Sequence, residues 1–125
     1  MQDEPRADEI LTRVANFLKG PAVRESGPHI SFQVRVCANA IEICQRQMTL
    51  APQAEAEELV RLRTLLKADG DLPTLNRELA MRIRAGQLTL ETPGLADHLW
   101  ATTMAKLAVD QPNYSGYRAA LAERS

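Results

Sequence analysis

Apolar positions recur along this chain at helical spacing, and prolines and glycines punctuate the recurrences. Ile10, Leu11, Val14, Phe17 and Leu18 form the first such stripe, which predicts a helix from about Pro5 to Lys19. Pro5 suits a first turn, Asp8 and Glu9 complement the positive end of a helix, and Gly20-Pro21 predicts its stop. The segment "GPAVRESGPHI", with two Gly-Pro steps, is expected to be a loop over 20–30. A second helix is expected from about Ser31 to Met48. There Phe32, Val34, Val36, Cys37, Ala40, Ile41, Ile43, Cys44 and Met48 sweep more than half of the circumference. A sweep that wide predicts a central helix buried between others.

A third helix is expected from near Pro52 to about Ala68, with Leu59, Leu62, Leu65 and Leu66 on its apolar face. Glu55, Glu57 and Glu58 point to different sides of that helix and read as a solvated surface. Asp69, Gly70 and Asp71 turn the chain, and Pro73 or Thr74 opens a fourth helix that carries Leu75, Leu79 and Ile83. Gly86 is its expected C-terminal cap. A connector follows, and Thr92 with Pro93 predicts the start of a fifth helix running to about Val109, with Leu95, Leu99, Met104 and Leu107 inward. "DQPNY" breaks that helix, and a short last one is expected over Ser115 to Glu123. No long alternating run argues for a sheet. The predicted class is all-α, a single-domain up-and-down bundle of five to six helices over 1–125, with flexible termini at about 1–5 and 124–125.

Composition sharpens this picture. Of 125 residues, 45% are hydrophobic and only 4% aromatic, so the core must be built from aliphatic side chains, which suits helix packing. The net charge of −1 gives no electrostatic reason to expect nucleic acid or a membrane surface as partner. No apolar run approaches the roughly 20 residues that span a bilayer. The acidic opening "MQDEPRADEI" is neither a signal nor a transit peptide. Cys37 and Cys44 lie two helical turns apart, too far for a disulfide, and are expected as buried free thiols in a cytoplasmic protein.

Catalytic constellations are missing from the sequence. His29 and His98 stand far apart, and neither sits at metal-ligand spacing with the cysteines. No glycine-rich phosphate loop occurs, and the Asp69–Asp71 turn does not continue into a calcium loop. His98 reads as a surface histidine or one satisfied in the core. No metal or cofactor is expected. What remains is a line of polar residues on the second helix. Relative to Arg35, Asn39 lies about 40° to one side, and Glu42 and Arg46 each about 20° away, so the four form one narrow stripe. One reading is a wet helix side with a Glu42–Arg46 ion pair. The other is an anion site, since guanidinium forks bind carboxylates and phosphates in a bidentate manner. Arg84, Lys106 and Tyr114 are further candidates for such a site. The set lacks a nucleophile with an adjacent base, so it does not read as an active site.

The segments "FQVRVCANAIEICQRQ", "LNRELAMRIRAG" and "MAKLAVDQPNYSGY" together resemble a small bacterial helical domain family of unknown function. The resemblance covers Ile10 to Tyr117. Its pattern falls on Arg35, Val36, Ala38, Asn39, Arg46, Leu79, Ile83, Arg84, Gly86, Lys106, Leu107, Val109, Pro112 and Tyr114. Ile41 and Gln47 depart from it, standing where that family often has Leu and Glu. If Gln47 replaces an acid that paired with an arginine, the polar network is rearranged here. Members of that family are often encoded beside, or joined to, aminoglycoside-phosphotransferase-like kinases and acyl-CoA dehydrogenases. The resemblance carries no known reaction. It implies a non-catalytic accessory module linked to acyl-CoA or phosphotransferase metabolism. Its expected partner is such a kinase or dehydrogenase, or a second copy of the chain. The alternative is a module binding a CoA-type phosphate or a carboxylate through Arg35, Asn39, Glu42 and Arg46, joined by Arg84, Lys106 and Tyr114.

Overall fold

The computed structural model describes residues 5–123 and is all-α. Of the expected flexible ends at about 1–5 and 124–125, residues 1–4 and 124–125 lie outside the described residues. Contacts divide the chain, expected as one domain, into two compact units, one ending at Thr49 and the other beginning at Leu50.

In the first unit, α1 covers Ala7–Phe17. The Arg6 backbone N–H donates to Glu9 at 2.9 Å, and the Arg6 guanidinium pairs with Asp8 at 2.8 Å. The chain does not stop at Gly20-Pro21 as expected. It passes through one wide π turn, Leu18–Ala22, and continues as the short α2, Val23–Glu25. Pro21 lacks the N–H that an α turn requires, and the wider turn accommodates the missing bond without ending the helix. The expected loop over 20–30 therefore shrinks to Ser26 and Gly27. Pro28 then opens α3, where its absent donor costs nothing. Ser31 is buried, and its hydroxyl donates to the Val23 carbonyl at 3.0 Å, which satisfies one of the acceptors exposed where α2 ends. The Lys19 ammonium pairs with Glu42, and Arg6, Ala7 and Asp8 border one cavity with Met48 and Thr49. These contacts define an antiparallel helical hairpin. Its fully buried positions are small, namely Ala15, Ala38 and Ser31.

The expected second and third helices are one element, since α3 runs unbroken over Pro28–Leu66 with Pro52 inside it. Proline removes only the donor that would reach the Met48 carbonyl, and Pro52 is exposed, so water can take that acceptor. Ala51, Gln53, Ala54 and Glu55 around it are good helix formers apart from the proline itself.

In the second unit, α4 covers Leu72–Arg84 and α5 covers Leu95–Asp110. The last helix, α6, covers Ser115–Glu123, as expected. Asp71 caps α4 by accepting the Thr74 backbone N–H at 2.9 Å. The Thr74 hydroxyl first, and then that backbone bond, hold the Asp71 carboxyl below its ordinary value. Gly86 takes the left-handed conformation (φ 73°) just past the end of α4. Thr92 orders the connector instead of capping α5, because its hydroxyl accepts the Thr89 backbone N–H at 2.9 Å. The N-cap of α5 is Gly94, also left-handed (φ 88°). The core joins Leu62 and Leu66 from α3, Leu75 and Leu79 from α4, and Leu95 from α5. Leu59, Leu65 and Leu88 pack around it. Ile83, the last of its stripe, and Leu99, within its own, are both expected inside but are exposed.

Candidate functional site

The polar line of α3 is real as a stripe, and the structure shows its surroundings. Arg35 and Asn39 are exposed, while Glu42 and Arg46 are partly buried. Glu42 takes Lys19 of the first helical segment as its ion-pair partner. Of the other candidates, Arg84, Lys106 and Tyr114 belong to the second unit, and all three are exposed.

The wider surprise is the rest of this α3 segment. The apolar sweep that predicted a central buried helix is largely uncovered. Phe32 is 67% exposed, Val36 51% and Met48 48%, and both cysteines are free and exposed rather than buried. The reason is geometric. Of this stretch of α3 only Ser31 and Ala38 are buried, and among the described residues of the first unit no further helix covers the remaining arc. On α1, Val14 and Phe17 lie about 100° and 160° to one side of buried Ala15. On α3, Ile30, Ile41 and Met48 lie about 60–80° from buried Ala38 in the same rotational sense. In an antiparallel pair these two flanks fall on the same side. The hairpin therefore presents an exposed apolar flank, and on α3 the exposed Val36, Ile43 and Phe32 extend it beyond Gln33 and Gln47.

The second unit holds a cleft of about 690 Å³ that none of the sequence-stripe candidates lines. The last turns of α3 supply Val60, Arg61, Thr64, Leu65 and Leu66, Lys67 follows directly after them, and α4 supplies Arg82. Thr92, Pro93 and Gly94 of the connector and Asp97 and His98 of α5 complete the wall. Its surface is predominantly apolar. Lys67 ends α3 in the left-handed conformation (φ 51°), and Arg82 donates to the Leu66 carbonyl at 3.1 Å. Arg82 also pairs with Glu78 at 2.7 Å. These contacts fix the rim where α3 stops.

His98 is the feature that sequence reasoning passed over. It is 2% exposed, and its Nδ1 has no hydrogen-bond partner. The buried Nε of Arg61 also lacks a partner. Burial first, then the Arg61 charge, lowers the His98 pKa below 6.5, against a smaller opposing pull from Glu58. The imidazole is accordingly neutral at pH 7. A signal was present in the sequence. Leu95, His98 and Thr102 follow each other at i, i+3 and i+7, so the histidine continues the buried side of α5. Among the described residues no cluster of three or more His, Cys, Asp or Glu side chains stands ready for a metal ion. No described helix is long and apolar enough to cross a membrane.

Residues 24–114 match the family model described as "Domain of unknown function (DUF6285)", and the chain belongs to that family. Neither the curated proteins nor the solved structures gave a match. The matched span opens within α2 and closes at Tyr114, so α1 lies outside it.

Proposed function

We propose that the chain is a non-catalytic accessory module that docks a protein partner through its first unit. The carrying observation is the uncovered apolar face of the hairpin, with Phe17 at 59%, Ile30 at 56% and Phe32 at 67% exposure. Exposed apolar surface of this kind marks interaction sites more than it marks free solvent boundaries. The partner class is the one the family resemblance implies, a phosphotransferase-like kinase or an acyl-CoA dehydrogenase. Two exposed free thiols suit a reducing cytoplasm as the setting. Co-expression with such a kinase or dehydrogenase, followed by sizing, tests this. A stable complex is expected, lost in Phe17→Lys and in Val36→Lys. A chain that stays alone and monomeric at high concentration sinks the reading, and a homodimer replaces the partner with a second copy.

A second reading rests on the Lys19–Glu42 pair, which engages the one acid of the polar stripe and leaves Arg35 and Asn39 facing solvent. In this reading they receive a CoA-type phosphate or a carboxylate. A thermal-shift series with acyl-CoA thioesters and phosphorylated metabolites addresses it. Equal stabilisation of an Arg35→Ala variant removes the stripe from consideration.

A further inference from the structure

We propose that the cleft of the second unit binds a medium-chain carboxylate, with the anionic head on Arg61 and His98 and the chain along the apolar wall. This site is independent of the docking face above, since every residue lining it belongs to the second unit.

Of the three buried side-chain atoms without a partner among the described residues, two belong to residues that line the cleft; the third, the Thr102 hydroxyl, does not line it. Buried polar groups are nearly always paired, and one that is not calls for a missing partner. Arg61 Nε can only donate, so its missing partner is an acceptor. His98 is neutral in its buried setting, and in one of its two tautomers Nδ1 also donates. Two donors on facing helices, close enough for the arginine charge to act on the imidazole, suit an oxygen anion. The charge around the cleft agrees. Arg61 and Lys67 face the Asp97 carboxylate, Arg82 is already held by Glu78, and Glu58 acts on His98 more weakly than Arg61 does. Asp97 also disfavours a second negative charge on the ligand.

The walls define the remainder of the molecule. Val60, Leu65 and Pro93 offer an aliphatic surface, and the hydroxyls of Thr64 and Thr92 are already engaged with the Val60 carbonyl and the Thr89 backbone N–H. A volume of about 690 Å³ lies within the range of small-molecule sites. Each methylene buried there raises affinity on the order of fourfold, so chain length is read directly as binding. The bound carboxylate also returns a negative charge to the side of His98. That opposes the arginine, so binding raises the proton affinity of the imidazole.

The test uses the whole chain in calorimetry with sodium octanoate, sodium butyrate, 1-octanol and inorganic phosphate. Octanoate is expected to bind one-to-one, with butyrate and 1-octanol each at least tenfold weaker and phosphate without effect. Arg61→Met is expected to weaken octanoate at least tenfold and to erase its advantage over 1-octanol. Thr64→Trp, at an exposed position on the wall, serves if the arginine variant does not fold, and is expected to block octanoate as well. NMR titration of His98 is expected to move upward in pH when octanoate is bound. The proposal is overturned by no octanoate binding, by 1-octanol or phosphate binding equally well, or by octanoate binding unchanged in both variants. An unmoved His98 titration overturns the placement of the head. The Phe17→Lys and Val36→Lys variants should bind octanoate normally, so failure of the docking reading leaves this result legible.

Discussion

One helix serves two very different interiors. In its first half, α3 buries Ser31 and Ala38, and the hairpin around it has no large side chain fully enclosed. In its second half, α3 buries Leu62 and Leu66, which join Leu75, Leu79 and Leu95 in a continuous leucine cluster. Apolar content does not separate the halves, since Phe32, Val36, Ile41, Ile43 and Met48 are as apolar as the later leucines. Coverage does. The second half meets helices on two sides within its own unit, and the first half meets one. Small residues at the hairpin contact let the two backbones approach closely, but they remove little surface from water. The second unit thus carries the stability that the hairpin's own interior cannot.

The largest expected break in this contrast is Leu62→Ala. Leu62 is 0% exposed, and deleting a buried leucine side chain typically costs about 2–5 kcal/mol. Val36→Ala, on the same helix but 51% exposed, should stay within about 0.5 kcal/mol for the isolated chain. Urea unfolding of the two variants measures the gap, and equal losses would mean that the hairpin face is covered after all. Next in size is Ala38→Leu. The hairpin contact has no room for a larger side chain, and overpacking costs about 1–3 kcal/mol, readable as a lower urea midpoint. Asp71→Ala removes the cap of α4 and should cost about 1 kcal/mol in the same measurement.

The pH dependence sharpens the comparison by direction. The folded state holds the His98 pKa below 6.5 through burial and the Arg61 charge. Above 6.5 both folded and unfolded chains carry a neutral imidazole there, so His98 makes no difference. As pH falls below 6.5 the unfolded chain takes up the proton first, and stability declines until the folded value is reached. Thermal midpoints taken from pH 7 downward should show this decline, and His98→Gln should flatten it. The smallest effect is expected at the Lys19–Glu42 pair. It is partly exposed, and Glu42→Gln should cost about 0.2–1 kcal/mol, less at high salt.

The helices of the second unit were legible because their signals are local. Asp71 and Pro73 start α4, Gly86 follows it, and the boundaries of α6 match the expected Ser115 and Glu123. The errors came where proline was read as punctuation. Pro21 widened a turn and Pro52 cost one backbone bond, yet neither ended a helix, because favourable neighbours outweighed a single missing donor. The site was less legible for a different reason. Periodicity reports which residues share a face, not whether anything lies opposite. It therefore placed Phe32 and Val36 inside, and it left Arg35 and Asn39 open between a wet helix side and an anion site, where the structure has both facing solvent. His98 was discounted because a buried histidine is usually satisfied. Only the three-dimensional neighbourhood reveals that its Nδ1 is not.

The unbroken course of α3 also bears on how this protein can be divided. Most chains change unit in a linker, where a cut leaves both pieces whole. Here the change falls between Thr49 and Leu50, inside a single helix of 39 residues. A fragment ending there surrenders half of its longest helix, and a fragment starting there begins with frayed backbone donors. Unfolding should follow the same logic. Unwinding that starts in the first half of α3 meets Pro52 as the turn where one fewer hydrogen bond resists it.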